Sequence, residues 1–278
     1  MKLRIIIIAG IILAGLYLTW SYIQYDNNIN ANVPNDMMIS FFVEYPDKEL
    51  DNIKLVDFPT KLYVAANSIE EFENIKSEIK NKHVKEVIYW PVLDENEGYW
   101  LSPFTERKAL LRVMKETKNN SVLWDAELPK EKHQILTRFF SFFKNKREIK
   151  DYFKSKERAI YTAEYFPHSI VLEFAGLSFN PNKFGNKMIK MVYSSMHDYS
   201  EYTVRKEIEY GVKEYGNNFL VGLGTLAVGI KGNEPLIKPD ILDRDLRIAK
   251  ELGIKEVVIY RLGGLNKEYL GIIKKYNQ

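Results

Sequence analysis

The stretch KLYVAANSIEEFENIKSEIKNKHVKEVIYWP, residues 61–91, contains one complete strand–helix–strand unit. Its two ends, Lys61–Ala66 and Glu86–Pro91, are short runs rich in apolar, β-branched and aromatic residues, as expected of strands buried in a parallel sheet. Between them lies a charged amphipathic segment, Ser68–Lys82. Asn67-Ser68 opens it, and Glu71 stands three residues after Ser68, where a capping box needs its acid. Parallel strands need a crossover of this kind, whereas a hairpin would need only a few turn residues.

The same alternation runs outward in both directions. It predicts strands at Ile39–Glu44, Ser121–Ala126, Ala159–Tyr165, Met188–Ser194, Phe219–Thr225 and Glu256–Arg261, which makes eight with the two above. Helices are expected at Thr105–Lys118, Tyr199–Tyr215, Pro239–Leu252 and Asn266–Tyr276, with Lys130–Lys156 as one long or broken helix. Phe166–Leu177 is ambiguous, because Ile170-Val171-Leu172 also reads as a strand. Eight strands closing in order predict an α/β fold, a (β/α)8 TIM barrel spanning residues 37–278, and roughly 240 residues suit that architecture. An open doubly wound sheet would need a phosphate-binding glycine turn after the first strand; Tyr45-Pro46-Asp47 stands there instead.

Composition narrows the functional classes. With 46% hydrophobic and 28% charged residues, the 278-residue chain is neither disordered nor of low complexity. Forty basic against 37 acidic side chains leave a net charge of +3, too small for an electrostatic claim on nucleic acid, and none is expected as a partner. Zero cysteines exclude disulfides, thiol catalysis and Cys-ligated metals. The four histidines, His83, His133, His168 and His197, fall on separate segments without metal-ligand spacing, so neither a metal nor a cofactor is expected. A Walker loop and a Gly-x-Ser-x-Gly elbow are both missing.

After Lys2 and Arg4, residues 5–25 carry no charge and would reach about 30 Å as a helix, the thickness of a bilayer core. The basic residues precede the run and Asp26 follows it, so residues 1–25 are expected to be a cytoplasmic tip and a membrane anchor, with the barrel on the extracytoplasmic side. Tyr17, Trp20, Tyr22 and Tyr25 suit the outer interface, and residues 26–36 read as a tether. A cleaved signal peptide is the competing reading, although a small-x-small site is not evident before Asn30-Ala31-Asn32. Phe139-Phe140-Ser141-Phe142-Phe143 reads as a helix-packing face or, alternatively, as a segment touching a bilayer.

In a barrel of this kind, function lies at the C-terminal strand ends. Those ends deliver Glu44, Trp90, Trp124-Asp125-Ala126-Glu127, Glu164, Tyr193 and Tyr260-Arg261. Carboxyls that exchange protons, beside aromatic faces that stack on sugar rings, are what glycosidic-bond chemistry needs. Asp125 and Glu127 are two apart on one strand, so they point to the same side, and their proximity should push one pKa up. Glu127, closer to the mouth, is the expected proton donor. Val221-Gly222-Leu223-Gly224-Thr225 offers no carboxylate to serve as a seventh-strand nucleophile.

Asp125-Ala126-Glu127 on strand four, Met191-Val192-Tyr193 on strand six and Gly222-Leu223-Gly224 on strand seven together resemble the chitinase-like family 18 glycoside hydrolases. The resemblance implies a general acid at Glu127, an Asp at 125 that orients an acetamido group, and a hydroxyl at Tyr193 that bonds the carbonyl of that group. Glu44, Trp90, Trp124, Glu164, Tyr260 and Arg261 are then expected to contact substrate, Tyr260 standing near the family's usual eighth-strand Trp platform. The chain departs from the pattern at Asn120-Ser121, Leu123 and Ser194, where the family places Asp-Gly, a further Asp and the Asp after the sixth-strand Tyr. Two readings stay open, a divergent hydrolase acting on a glycan or cell-envelope polysaccharide or a catalytically silent glycan-binding scaffold; a third, a barrel hydrolase for a non-sugar ester or phosphate, would need a nucleophile or metal set that the sequence does not show.

The anchor reading predicts that protease added to intact cells digests the barrel. Protection of the whole barrel until the membrane is broken would contradict it.

Overall fold

The computed structural model describes residues 37–165, 170–230 and 232–277. The membrane-anchor expectation for residues 5–25 lies outside them; among the described residues, no helix is long and apolar enough to cross a membrane.

Eight parallel strands close into a barrel in chain order. They are β1 (Met38–Val43), β2 (Thr60–Ala66), β3 (Val84–Pro91), β4 (Val122–Asp125), β5 (Ile160–Glu164), β6 (Lys187–Met191), β7 (Phe219–Gly224) and β8 (Glu256–Tyr260). Closure is made by β1 against β8, with Phe41 opposite Ile259. All eight expected strands are present, most of them slightly shorter than the sequence implies.

A one-turn helix, α1 (Pro46–Glu49), follows β1, and α2 (Ile69–Glu78) follows β2. Ser68 caps α2 by accepting from the Glu71 N–H at 3.2 Å, while the Glu71 carboxylate accepts from the Asn67 N–H at 2.7 Å, so the predicted capping box forms. α3 (Arg107–Glu116) comes next, and the segment after β4 is broken into α4 (His133–Thr137) and α5 (Phe139–Ser155). The break falls at Arg138, whose guanidinium turns away to donate to the carbonyls of Glu97 and Phe104, both at 2.9 Å. Ile170-Val171-Leu172 is helical, within α6 (Ile170–Ala175), and α7 (Pro181–Phe184) follows. The sixth strand stops at Met191; Ser194 already belongs to the single turn α8 (Ser194–His197). The ring is completed by α9 (Glu201–Tyr215), α10 (Pro239–Glu251) and α11 (Lys267–Ile273).

Side chains alternate across each strand and so build two cores. Inside the barrel, Phe42, Tyr63, Ile88, Leu123, Tyr161, Ile189, Leu220 and Val258 pack together. Outside it, Val122, Trp124 and Ile160 pack beneath Leu110, Val113, Ile149 and Phe153 of the helices. The bottom of the barrel is polar. Buried Glu256 accepts from Ser40 at 2.7 Å and Tyr63 at 2.9 Å, and Lys61 pairs with it at 2.8 Å. A buried carboxylate with its charge and hydrogen bonds met closes that end without an orphaned group.

Trp124 is fully buried between sheet and helix, with its ring 5.4 Å from Phe153 and 5.7 Å from Tyr152. Trp124→Ala should therefore lower stability by about 3–5 kcal/mol in chemical denaturation, the cost of emptying a large core site. A change below about 1 kcal/mol would show that the outer core is not packed as described.

Candidate active site

The C-terminal strand ends surround a cavity of about 210 Å³. Asp125 and Glu127 open onto it from β4 and its following loop, Glu44 from the end of β1, Tyr193 from just beyond β6 and Tyr260 from β8. Trp90, Trp100 and Tyr165 supply further aromatic wall. The strand alternation dictates this set: Leu123 faces the barrel interior, so Asp125 does too, and Val258 carries Tyr260 with it.

Asp125 is the deepest of the acids, 4% exposed, and its Oδ1 has no hydrogen-bond partner. Burial pushes its pKa well above the usual carboxylate range, and the nearby charges of Glu127 and Glu44 push it further. The Trp90 indole N–H pulls weakly the other way, close enough to act on Asp125 without forming a well-aligned hydrogen bond. Asp125 thus carries a raised pKa, set chiefly by its depth in the barrel. Glu127 is half-buried at the opening.

Glu44 anchors the opposite wall. Tyr260 donates its hydroxyl proton to Glu44, and Arg261 stands 3.7 Å from the same carboxylate. Burial raises the pKa of Glu44, Tyr260 and Arg261 pull it back, and Glu234 across the mouth raises it again. Arg261 itself does not line the cavity. It pairs with buried Glu49, whose second oxygen accepts from the Glu44 N–H at 3.2 Å, so it fixes Glu44 from behind.

Two expected contact residues face away from the cavity. Trp124 belongs to the outer core, since it alternates with inward Leu123 and Asp125. Glu164 likewise alternates with inward Tyr161 and Ala163; it accepts from the Phe179 N–H and the Thr162 hydroxyl, both at 2.9 Å, and ties down the loop before α7. Neither is positioned to meet a ligand in this cavity.

Glu234 escaped sequence reasoning because it lies on an irregular loop after β7. That loop is pinned by the Ile237 N–H to the Thr225 carbonyl at 2.8 Å, and Glu234 accepts from the N–H groups of Gly229 and Asn233 at 3.1 and 3.2 Å. A side chain at Gly229 would come within 2.4 Å of the Tyr260 hydroxyl, so only glycine lets the loop lie this close. Tyr165 could have been found: the alternation that carries Tyr161 and Ala163 inward reaches it next. Ser194, in contrast, accepts from Arg244 of α10 at 3.1 Å, away from the cavity wall. Among the described residues, no cluster of three or more His, Asp or Glu side chains could hold a metal.

No family model matches the sequence, and no curated protein does. Solved structures with the same barrel include the glycoside hydrolase domain of PgaB (BpsB) from Bordetella bronchiseptica, 12% identical, with a TM-score of 0.51 over 86% of this chain and 96% of that one. A class V chitinase from Pseudomonas fluorescens Pf-5 is 9% identical, with a TM-score of 0.52 over 87% and 100% of the two chains. The family GH18 chitinase from Cycas revoluta, solved with allosamidin, is 11% identical, with a TM-score of 0.51 over 86% and 99%. The structural neighbours are thus GH18 chitinases and related glycoside hydrolase barrels, and at these identities the likeness is one of fold.

The placement of Glu164 carries a pH signature. Burial raises its pKa to about 7 against the ordinary value of 4.5, although the hydrogen bonds from Ser178, Phe179 and Thr162 pull it down. The folded state therefore holds a proton that the unfolded state releases, and this contribution to stability is complete below about pH 4.5 and lost as pH rises towards 7. Glu164→Gln should flatten that part of the profile, so its melting temperature relative to wild type rises between about pH 5 and about pH 7.5. A constant offset between the two proteins across this window would contradict the assignment.

Proposed function

We propose that this chain acts on a glycan as a divergent glycoside hydrolase, with Glu127 as the proton donor. The observation that supports the reading best is the pair Asp125 and Glu127 in one aromatic-walled cavity, at the end of the barrel where such enzymes do their chemistry. The glycoside hydrolase domain and the chitinases among the structural neighbours favour the same substrate class.

In this mechanism the two strand-four acids share a proton and titrate as a unit. Asp125, buried, holds it before substrate binds. A sugar filling the cavity removes water from Glu127 as well, and the proton passes through Glu127 to the glycosidic oxygen as the bond to the anomeric carbon breaks. The acetamido oxygen of an N-acetylated sugar then bonds to that carbon. Tyr193 stays protonated, its pKa pushed well above the ordinary value by burial and by Asp125 and Glu127, so it can donate to the acetamido group throughout. Water finally attacks the anomeric carbon, the bond from that carbon to the acetamido oxygen breaks, and the proton the water loses returns through Glu127 to the pair. Trp90 and Tyr260 are proposed as the sugar-facing platforms.

The run at residues 5–25 is proposed to anchor the protein in a membrane with the barrel outside the cytoplasm, which would give it access to envelope polysaccharide. A catalytically silent glycan-binding scaffold is the second reading. It is favoured by Leu123, apolar in the barrel interior, and by Ser194, bonded to α10, at two positions where family 18 hydrolases carry acids.

On a substrate the wild type cleaves, Glu127→Gln should lower turnover by about 10²- to 10⁴-fold with little effect on ligand affinity. Asp125→Asn should cost less at low pH than at neutral pH, and Tyr193→Phe should slow only substrates bearing an acetamido group. Equal turnover by wild type and Glu127→Gln would sink the mechanism; unchanged binding with no turnover in either protein would favour the scaffold.

A further inference from the structure

Outside the cavity, on the helix layer, the barrel carries an exposed aromatic face. At the start of α5, Phe140 is 94% exposed, with Phe139 and Phe143 also exposed; Leu136 of α4, 80% exposed, precedes them by one turn. Ring contacts join them: Phe139 lies 6.3 Å from both Phe140 and Phe143, and beneath them buried Phe142 lies 5.2 Å from Phe143 and 6.0 Å from Phe174 of α6. Val171 and Phe174 extend it. Large exposed apolar patches on a folded domain mark interaction sites, because water leaves them at a gain in free energy.

The charge around this face is as telling as the rings. A groove of about 400 Å³ adjoins it, lined by Phe174 and by Lys146, Lys150 and Lys183. Lys146 sits 3.6 Å from the centre of the Phe174 ring, over its face. Its pKa is lowered by burial first and also by Lys150 and Lys183, while Glu173 opposes them. Glu173 is committed to Lys183, and Glu148 of α5 is committed to Arg107 at 2.9 Å. Lys144 adds exposed positive charge on the same helix, where Arg147 pairs with Asp151 at 3.9 Å.

We propose that the α5–α6 face docks on an anionic phospholipid bilayer, with the Phe139, Phe140, Phe143 and Leu136 side chains in the interfacial layer and the lysine groove on lipid phosphates. A bilayer interface takes both halves of the surface at once, apolar rings at the acyl boundary and ammonium groups at the headgroups. A second copy of the chain meets the rings but would set lysine against lysine across a two-fold contact. The α5 helix follows β4 and therefore begins at the mouth end of the barrel, so docking brings the strand-four side of the cavity close to the membrane surface.

The cysteine-free sequence permits a clean test on the full chain. Phe140→Cys, and Gly271→Cys on α11 across the barrel, are each labelled with an environment-sensitive fluorophore. Both are mixed with vesicles of phosphatidylcholine alone or with phosphatidylglycerol added, each carrying a nitroxide lipid near the headgroup. Quenching at position 140 should exceed that at 271 several-fold with the anionic vesicles and fall without the anionic lipid. Replacing Lys146 and Lys150 by Glu should weaken docking by about fivefold or more for each lysine lost. Equal quenching at the two positions, quenching indifferent to anionic lipid, or lipid-independent shielding of position 140 that grows with protein concentration would each overturn the proposal; the last would identify a protein contact instead.

Discussion

Successive side chains of a strand point to opposite sides, and closing eight strands into a ring turns that alternation into an inside and an outside. The candidate site depends on that sorting. On β4, Leu123 and Asp125 face inward while Val122 and Trp124 face the helices. A one-residue shift of register would bury Trp124 in the barrel and drive Asp125 into the apolar layer under α5. The outer aromatic packing of Trp124 against Tyr152 and Phe153 thus holds the register that aims Asp125.

Depth then sorts the acids by chemistry. Glu256, at the closed end, has a lysine, a tyrosine and a serine to meet it, which makes it part of the barrel's framework. Asp125, at the open end, has an unpartnered oxygen and a strongly raised pKa, which leaves it with capacity for a ligand or a proton. Glu44 lies between these extremes, buried but held by Tyr260 and backed by the Arg261–Glu49 pair. Three carboxyls of one barrel are given three roles by what surrounds each of them, with no change in the group itself.

The fold was legible because strand alternation and capping are local. Residues 61–91 show both, and Ser68 with Glu71 forms the cap they spell out. The cavity was legible where alternation could be counted from a known inward residue, as for Asp125, Glu127, Tyr193 and Tyr260. Trp124 and Glu164 were chosen for their chemistry without that count, and both face outward. Glu234 was invisible for a different reason: a loop after β7 places it, and the hydrogen bonds that shape that loop join residues no local pattern pairs. The raised pKa of Asp125 is likewise not a local property, since burial in the closed barrel is its main cause.

The central claim is that water is added across a glycosidic bond in the cavity of Asp125 and Glu127. Digesting a panel of envelope polysaccharides in heavy-oxygen water and weighing the fragments tests it most directly. Shorter fragments are expected, with one heavy oxygen at every newly formed reducing end and none on the fragment that keeps the original one. Polysaccharides recovered at full length and unlabelled, from protein shown to bind them, would contradict it.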